Sequence, residues 1–221
     1  IPLRLVGSEM CIRDSIGTIR YYDYAGSIQG AKTVSFTIGT GVGASVGDFN
    51  GATEVPFQQA IAAAVASGLS SVVIFVKNGT YTISTPIASS IPVTIVGEST
   101  SGSDLNVILA GTGVTTAMFA PTTALNLYNI YLDKATASAT GVIALTSSTT
   151  LIGLHNVKTS TLFTPLISTG PEDRSYSMVL DIDQSSITCG GTVPAIIYQD
   201  PNFDGNGFVG GSLRSSSITV S

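Results

Sequence analysis

Charged residues are scarce in this sequence, and positively charged residues are the scarcest. Charged residues make up 10% of the 221 residues, and nine Lys and Arg stand against fourteen Asp and Glu, so the net charge is −5 at pH 7. Proteins that bind nucleic acid use a basic stripe to neutralise phosphates. The composition therefore argues against a nucleic-acid partner.

Long apolar runs are also lacking, although 43% of the residues are hydrophobic. A membrane-spanning helix needs about 18 or more consecutive apolar residues. The longest apolar runs, such as residues 72–76, have the length of one strand. We therefore expect no membrane insertion, and we attribute the apolar content to short strands with a buried core and a Ser- and Thr-rich surface.

Cysteine and histidine are too few for a structural zinc site, because the chain has two Cys and one His. Cys11 lies in residues 1–15, which resemble a translated sequencing adapter and are expected to be a non-native artefact. The alternative is an irregular N-terminal arm. Without these residues Cys189 has no partner for an intramolecular disulfide, and its alternating context predicts a packed thiol.

The remaining chain divides into a lead-in segment, residues 16–46, and a repetitive segment, residues 47–221. The lead-in is Gly-rich and holds two stretches of partly alternating apolar residues, which predict strands. The final residues, Val220 and Ser221, read as the middle of a strand. We therefore expect the repetitive segment to be truncated at its C-terminal end.

One helix is predicted over residues about 54–67, at the start of the repetitive segment. Thr53 can cap its first turn, which contains Pro56, and Gly68 stands where a helix stop belongs. Its apolar residues recur at helical spacing and are Phe57, Ile61, Ala64 and Val65. A single amphipathic helix followed by strands is typical of a plug that covers the open end of a β-solenoid.

After Gly97 a polar residue followed by a β-branched residue recurs along the chain. The pairs are Asn106-Val107, Asn129-Ile130, Asn156-Val157, Ser186-Ile187 and Ser217-Ile218, at steps of 23, 27, 30 and 31 residues. Periods of this size are typical of solenoids, with coils over residues 72–221. The competing architecture, a β-sandwich, predicts hairpins every 8–12 residues, for which Asn78-Gly79 is one turn signal.

Three asparagines of this repeat, Asn106, Asn129 and Asn156, are predicted to have a structural role. Asn tolerates a left-handed backbone conformation, and it therefore suits a tight bend between strands. Its amide can also form a hydrogen bond with the asparagine of the coil above or below. The repeat therefore predicts a ladder of bends along one corner of the solenoid.

Four stretches of the sequence resemble the N-terminal cap and first coils of the pectate-lyase-like β-helix superfamily. They span residues 47–53, 57–64, 72–81 and 93–98, with Gly-Asp-Phe-Asn-Gly-Ala-Thr leading into the helix and Lys-Asn-Gly-Thr-Tyr in the first coil. The resemblance implies an all-β chain folded as a right-handed, single-stranded parallel β-helix with an N-terminal capping α-helix. The superfamily includes phage tailspikes and tail fibres, polysaccharide lyases and secreted adhesins. Because residues 47–53 lack the family's closing acidic pair, the resemblance specifies no single activity.

Two carboxylates, Asp181 and Asp183, are the candidate catalytic residues. They alternate with apolar neighbours in a strand-like run, so both are expected on one outer face, about 6.5–7 Å apart by strand rise. That spacing is close to the range of inverting glycosidases, and paired carboxylates also bind Ca²⁺. The alternative is a solvated strand face. A lyase of the kind that the chain resembles would use Ca²⁺ and a Lys or Arg base; Lys134 and Lys158 follow repeat strands but are expected at the surface. Otherwise no cofactor is expected.

Tyr128, Tyr131 and Asp133 are the candidate carbohydrate-binding residues. Sugar rings stack on aromatic side chains, and carboxylates often lie beside them on sugar-binding faces. Packing of the rings under a loop is the alternative. His155 aligns roughly with Tyr128 in the repeat and is expected at the surface.

The resemblance and the absence of a convincing catalytic set together predict a structural protein. We expect a phage or viral tail appendage that recognises polysaccharide on the host cell surface, located on the virion or outside the cell. Fibres that it resembles are homotrimers. The alternatives are a polysaccharide lyase or glycoside hydrolase of the same fold, and a bacterial surface adhesin.

Overall fold

The computed structural model describes residues 10–13, 19–22, 34–98, 105–112, 116–134, 141–145, 149–169, 177–190, 197–198 and 208–220. The fold is all-β, a right-handed parallel β-solenoid of about four turns with one short helix near its N-terminal end, as predicted. No helix in these ranges is long and apolar enough to span a bilayer.

The described chain is a series of short strands with one helix, α1, which spans Val55–Ala66. The strands of the first half are β1 Met10–Arg13, β2 Ile19–Tyr22, β3 Val34–Gly39, β4 Phe49–Asn50, β5 Val72–Val76, β6 Gly79–Ile83, β7 Ile87–Ser89, β8 Val93–Gly97 and β9 Val107–Gly111. The strands of the second half are β10 Phe119–Pro121, β11 Ala124–Asp133, β12 Ile143–Leu145, β13 Thr149–Leu162, β14 Ile167–Thr169, β15 Ser177–Asp183, β16 Ser186–Cys189, β17 Ile197–Tyr198, β18 Phe208–Arg214 and β19 Ser217–Val220.

Two parallel sheets form the sides of the solenoid. The short sheet has the order β17-β14-β12-β10-β7, and the long sheet runs β18-β15-β13-β11-β8-β5-β3-β4. The long sheet continues around a corner, where the second halves of β11 and β13 pair with β9 and β16. β3 lies within residues 16–46 and already pairs with β5 in the long sheet.

The parallel pairing excludes the sandwich. At Asn78-Gly79, where a sandwich predicts a hairpin, β5 and β6 do not pair with each other. β6 instead pairs in parallel with β9, the corresponding strand of the next coil. Parallel strands need a crossover, and here each crossover is one turn of the solenoid.

The core is a set of apolar columns that run along the solenoid axis. Alternation along each strand directs every second side chain inward, and parallel register stacks equivalent residues from coil to coil. The central column is fully buried and consists of Phe36, Ile74, Ile95, Leu127, Leu154 and Ile182. Each such side chain contributes about 1.5–3 kcal/mol of hydrophobic stabilisation. Cys189 is buried as predicted, and burial raises the pKa of its thiol.

The corner of the long sheet is built from residues in the left-handed conformation. Asn129, Asn156, Gln184 and Ser215 have φ values of 56°, 51°, 50° and 48°. The Asn156 Nδ2 donates a hydrogen bond to the Asn129 Oδ1 at 2.9 Å, and the Asn129 Nδ2 lies 3.5 Å from the carbonyl oxygen of Gly97. The amides therefore link successive coils at the bend.

The predicted repeat is wrong by two residues at one step. Ser186 pairs with Ser217 as predicted, but it pairs with Lys158 and not with Asn156 on the other side. Gln184, an exposed residue with a φ of 50°, occupies the bend of that coil. The polar residue that sequence periodicity selected is therefore not the bend residue.

Asn106 lies at the bend, but it does not share the left-handed backbone conformation of the other two asparagines. Ile108 pairs with Tyr131, so two further residues back along both strands place Asn106 opposite Asn129. The φ of Asn106 is not positive, unlike those of Asn129 and Asn156. Its carbonyl oxygen accepts a hydrogen bond from the backbone N–H of Gly79 at 3.0 Å, which joins two coils.

α1 covers the N-terminal end of the solenoid with its buried face. Phe57, Ala60 and Ala64 are fully buried, whereas Val65, expected in the apolar stripe, is 45% exposed. The helix begins one residue later than Thr53 would cap it, with Glu54 in the capping position. Gly68, with a φ of 69°, follows the helix end as predicted.

Glu54 anchors α1 to the first coil. Its buried carboxylate accepts hydrogen bonds from the backbone N–H and hydroxyl of Ser84 and from the hydroxyl of Thr85. Burial by itself raises the pKa of this carboxyl group, but the hydrogen bonds outweigh burial and hold the pKa below its usual range.

Candidate functional site

The outward side of the long sheet, before the bend, carries two adjacent rows of side chains. The first, which we call the Tyr128 row, consists of Val96, Tyr128, His155, Asp183 and Arg214. The second, the Gly153 row, consists of Asn126, Gly153, Asp181 and Ser212. Neighbouring members of a row lie on strands about 4.8 Å apart, because both rows run along the solenoid axis.

Tyr128 and His155 form the centre of the first row. Their rings are stacked with centroids 4.4 Å apart and an interplanar angle of 10°. His155 was expected only roughly level with Tyr128, and the register places the two side by side. Stacking covers one face of each ring, and the outer faces of the pair lie next to Val96 and Asp183 in the register, so the polar edges are what the pair presents.

The two candidate catalytic carboxylates lie on this same face. Asp181 and Asp183 belong to adjacent rows, and both are half-buried. The Asp181 Oδ1 accepts hydrogen bonds from the Ser212 backbone N–H at 3.0 Å and the Ser212 hydroxyl at 2.9 Å. Asp183 lies between His155 and Arg214 in the register. One carboxylate is therefore tied to the next coil, and the other has a cationic neighbour.

Gly153 leaves space on the outer face that neighbouring side chains fill, a feature that sequence reasoning missed. A Cβ at this position would lie 2.3 Å from the Asn126 Oδ1 and 3.0 Å from the His155 Nε2. The amide and the imidazole therefore lean into the space that the glycine leaves. The signal in the sequence is the alternation of β11, which places Asn126 on the same side as Tyr128.

The other two candidate carbohydrate-binding residues, Tyr131 and Asp133, lie beyond the bend on a different face. Tyr131 has Ile108 and Lys158 as its neighbours in the register. The Asp133 Oδ1 accepts a hydrogen bond from the Ser160 hydroxyl at 2.7 Å. The bend at Asn129 separates them from Tyr128, so the three candidates do not form one site.

A groove of about 290 Å³ extends the Tyr128 row toward the N-terminal end. Its lining residues are Thr37, Phe75, Val76, Lys77, Val96 and Glu98. Phe75 is 47% exposed, and the Lys77 Nζ forms an ion pair with the Glu98 Oε1 at 3.0 Å. Hydrogen bonds from the Asn78 backbone N–H and from Lys77 hold the pKa of Glu98 below its usual range. The groove therefore combines an apolar floor with a charged edge.

The two candidate lysine bases are placed very differently. Lys158 is half-buried beside Tyr131 on the second face. The prediction of a surface position for Lys134 is wrong, because this side chain is 0% exposed. Lys134 turns inward at the end of β11, where the alternation of the strand directs it into the core. A residue so placed cannot reach a polysaccharide.

Among the residues that the structure describes, no group of three His, Cys, Asp or Glu side chains could hold a metal ion. A Ca²⁺ site in those ranges would therefore need to recruit carbonyl oxygens or water around the Asp181 and Asp183 pair.

Comparison with known proteins adds no relative. No protein-family model, no curated protein and no solved structure matches this chain.

Proposed function

We propose that this chain is a glycan-recognising β-solenoid of the pectate-lyase-like type that serves as a phage or viral tail appendage. Its partner would be polysaccharide on the host cell surface, and its location the virion or the extracellular space. The observation that carries the proposal is the Tyr128–His155 stack, with Asn126, Asp181 and Asp183 beside it on one exposed face.

Sugar hydroxyl groups require donors and acceptors held at fixed positions. The two rows supply a phenol, an imidazole, an amide and carboxylates on neighbouring strands of one sheet. Side chains on paired strands lose little further freedom on binding, and sites on strands are more accurately placed than sites on loops. Asn126 and His155 pack together over Gly153, which holds the amide and the imidazole at fixed positions.

We expect Tyr128→Ala and His155→Ala each to weaken polysaccharide binding about tenfold or more, since each removes a hydrogen-bonding edge and its support for the other ring. The probe is a panel of purified bacterial surface polysaccharides, with affinity measured by biolayer interferometry.

Tyr131→Ala is the matched control, because it removes the same side chain from the face beyond the bend. Its affinity should stay within about twofold of the unaltered chain. If the unaltered chain binds no polysaccharide in the panel, the proposal fails. If Tyr131→Ala alone weakens binding, the second face is the site.

We also propose that the chain assembles as a homotrimer through an apolar strip at the edge of the outer face, which leaves the Tyr128 row uncovered. Leu151 and Val179 are neighbours in the register and are 41% and 39% exposed, which gives an apolar strip next to the Gly153 row. Apolar side chains exposed in register are typical of surfaces that another subunit covers. Light scattering should give about three times the 22.6 kDa mass of one chain. A strictly monomeric species, or a trimer that persists in Leu151→Asp, contradicts this assembly.

A polysaccharide lyase or glycoside hydrolase is the second candidate, favoured by the position of Asp181 and Asp183 beside the Tyr128–His155 stack. It differs from the first in one readout, which is loss of polysaccharide viscosity with time. If viscosity falls with the unaltered chain and not with Asp183→Asn, the enzyme assignment replaces the binding assignment. The double bond that elimination leaves in the product, followed by its ultraviolet absorbance, distinguishes a lyase from a hydrolase.

A further inference from the structure

Lys134 interrupts an otherwise apolar column inside the solenoid. The column contains Ile83, Gly111, Lys134, Leu162 and Cys189, one residue from each coil. The backbone carbonyl of Lys134 accepts a hydrogen bond from the N–H of Phe163 at 3.3 Å, so the residue belongs to the sheet and its side chain is held inside. Its exposure is 0%.

Space for the lysine comes from Gly111 in the coil above. A Cβ at Gly111 would lie 3.3 Å from the Lys134 Cγ and 2.9 Å from two atoms of Met118. The amine donates a hydrogen bond to the carbonyl oxygen of Thr116. Apolar atoms therefore surround the stem, and a neutral carbonyl receives the amine.

No carboxylate compensates the charge in the described part of the chain. Of the titratable groups on the strands around Lys134, Asp133 points outward and binds Ser160, and Lys158 lies on the outer surface. Tyr81 is in another interior column and donates to the Lys77 carbonyl. Cys189 is two coils away. The adjoining segments 113–115 and 135–140 contain no Asp, Glu, His, Lys or Arg.

Burial makes the ammonium form unfavourable and lowers the pKa of Lys134 from 10.5 to about 8. The unfolded chain keeps its proton up to its ordinary pKa, so between pH 8 and 10.5 the unfolded state binds one more proton than the folded state. The free energy of unfolding therefore rises with pH in this window, and the unfolding equilibrium constant falls about tenfold per pH unit. Below pH 8 both states are protonated, and the full destabilisation remains.

We propose that Lys134 is a pH-sensitive lock in the coil formed by β9, β10 and β11. With the amine neutral, the coil closes over an uncharged column. With the amine protonated, the coil holds a buried charge and the folded chain is less stable. The proposal goes beyond polysaccharide binding, because the Lys134 side chain lies in the interior and is not a member of the Tyr128 row.

The test compares urea unfolding of the unaltered chain with that of Lys134→Met between pH 6 and pH 10.5. Met keeps the length of the stem and removes the charge. At pH 7 the unfolding equilibrium constant of Lys134→Met should be at least tenfold smaller than that of the unaltered chain. The difference should shrink as pH rises from 8 to 10.5. Lys158→Met is the matched control, and its difference from the unaltered chain should not shrink between pH 8 and pH 10 as that of Lys134→Met does.

If the free energy of unfolding depends on pH in the same way for the unaltered chain and for Lys134→Met, the proposal is overturned. Should Lys134→Met not fold, NMR of the unaltered chain with ¹³C-labelled lysine gives an independent answer. One lysine Cε resonance that titrates near pH 8 supports the lock, and titration of every lysine above pH 10 overturns it.

Discussion

Replacing Phe57 by alanine is expected to lower the free energy of unfolding by about 3–5 kcal/mol. Phe57 lies on the buried face of α1, is fully buried and packs edge-to-face against the ring of Tyr81, with ring centroids 5.6 Å apart. Its removal leaves a cavity between the helix and the first coil. Because α1 covers the end of the apolar columns, the variant should also expose core surface. Urea unfolding followed by circular dichroism measures the first effect, and binding of an apolar dye measures the second.

Phe75→Ala provides the matched control, since Phe75 is the same residue type on the outer face and is about half exposed. Its substitution should cost no more than about 1 kcal/mol, because much of the ring is already in water. Phe57→Leu should cost less than Phe57→Ala, since it refills part of the cavity. Equal losses for Phe57→Ala and Phe75→Ala would show that α1 does not seal the solenoid.

Asn156→Ala is expected to lower the free energy of unfolding by about 2–3 kcal/mol, from two separable causes. Alanine at a φ of 51° costs about 1–2 kcal/mol, because its Cβ crowds the following carbonyl oxygen and it lacks the polar side chain that offsets this cost in asparagine. Loss of the hydrogen bond from the Asn156 Nδ2 to the Asn129 Oδ1 adds about 1 kcal/mol. Chemical denaturation of the full chain measures the total.

Asn156→Gly separates these two causes, because glycine accepts the left-handed conformation but cannot form the ladder. It should be less destabilising than Asn156→Ala by the backbone contribution alone. If the two variants lose the same stability, the left-handed conformation does not explain the asparagine. If Asn156→Gly loses nothing, the amide ladder does not stabilise the corner.

Local features of this protein were predictable because their causes lie within a few residues. Pro56 and Gly68 bracket α1, and the alternation of residues 72–76 identifies a strand with one buried side. Asn129 and Asn156 mark bends because few residues other than glycine accept a left-handed backbone. These signals, repeated at solenoid spacing, also predicted the architecture.

The register between coils was harder to predict from the sequence. Gln184 forms a bend although glutamine carries no strong bend signal, and this displaced the predicted repeat by two residues at Ser186. The connections between bends differ in length from coil to coil. Because spacing in the chain then does not equal spacing in the stack, a pattern of identical letters cannot align every strand.

The sequence by itself therefore determined an all-β solenoid, its capping helix, its buried Cys189 and its asparagine bends. Tertiary structure alone decided that Tyr128 stacks on His155, that Tyr131 lies on another face, and that Asn126 and His155 pack over Gly153. It also decided that Lys134 is enclosed opposite Gly111. The physical reason is that hydrophobic periodicity and backbone preference act along the chain, whereas each of these neighbours comes from a strand more than twenty residues away or from the far side of a bend.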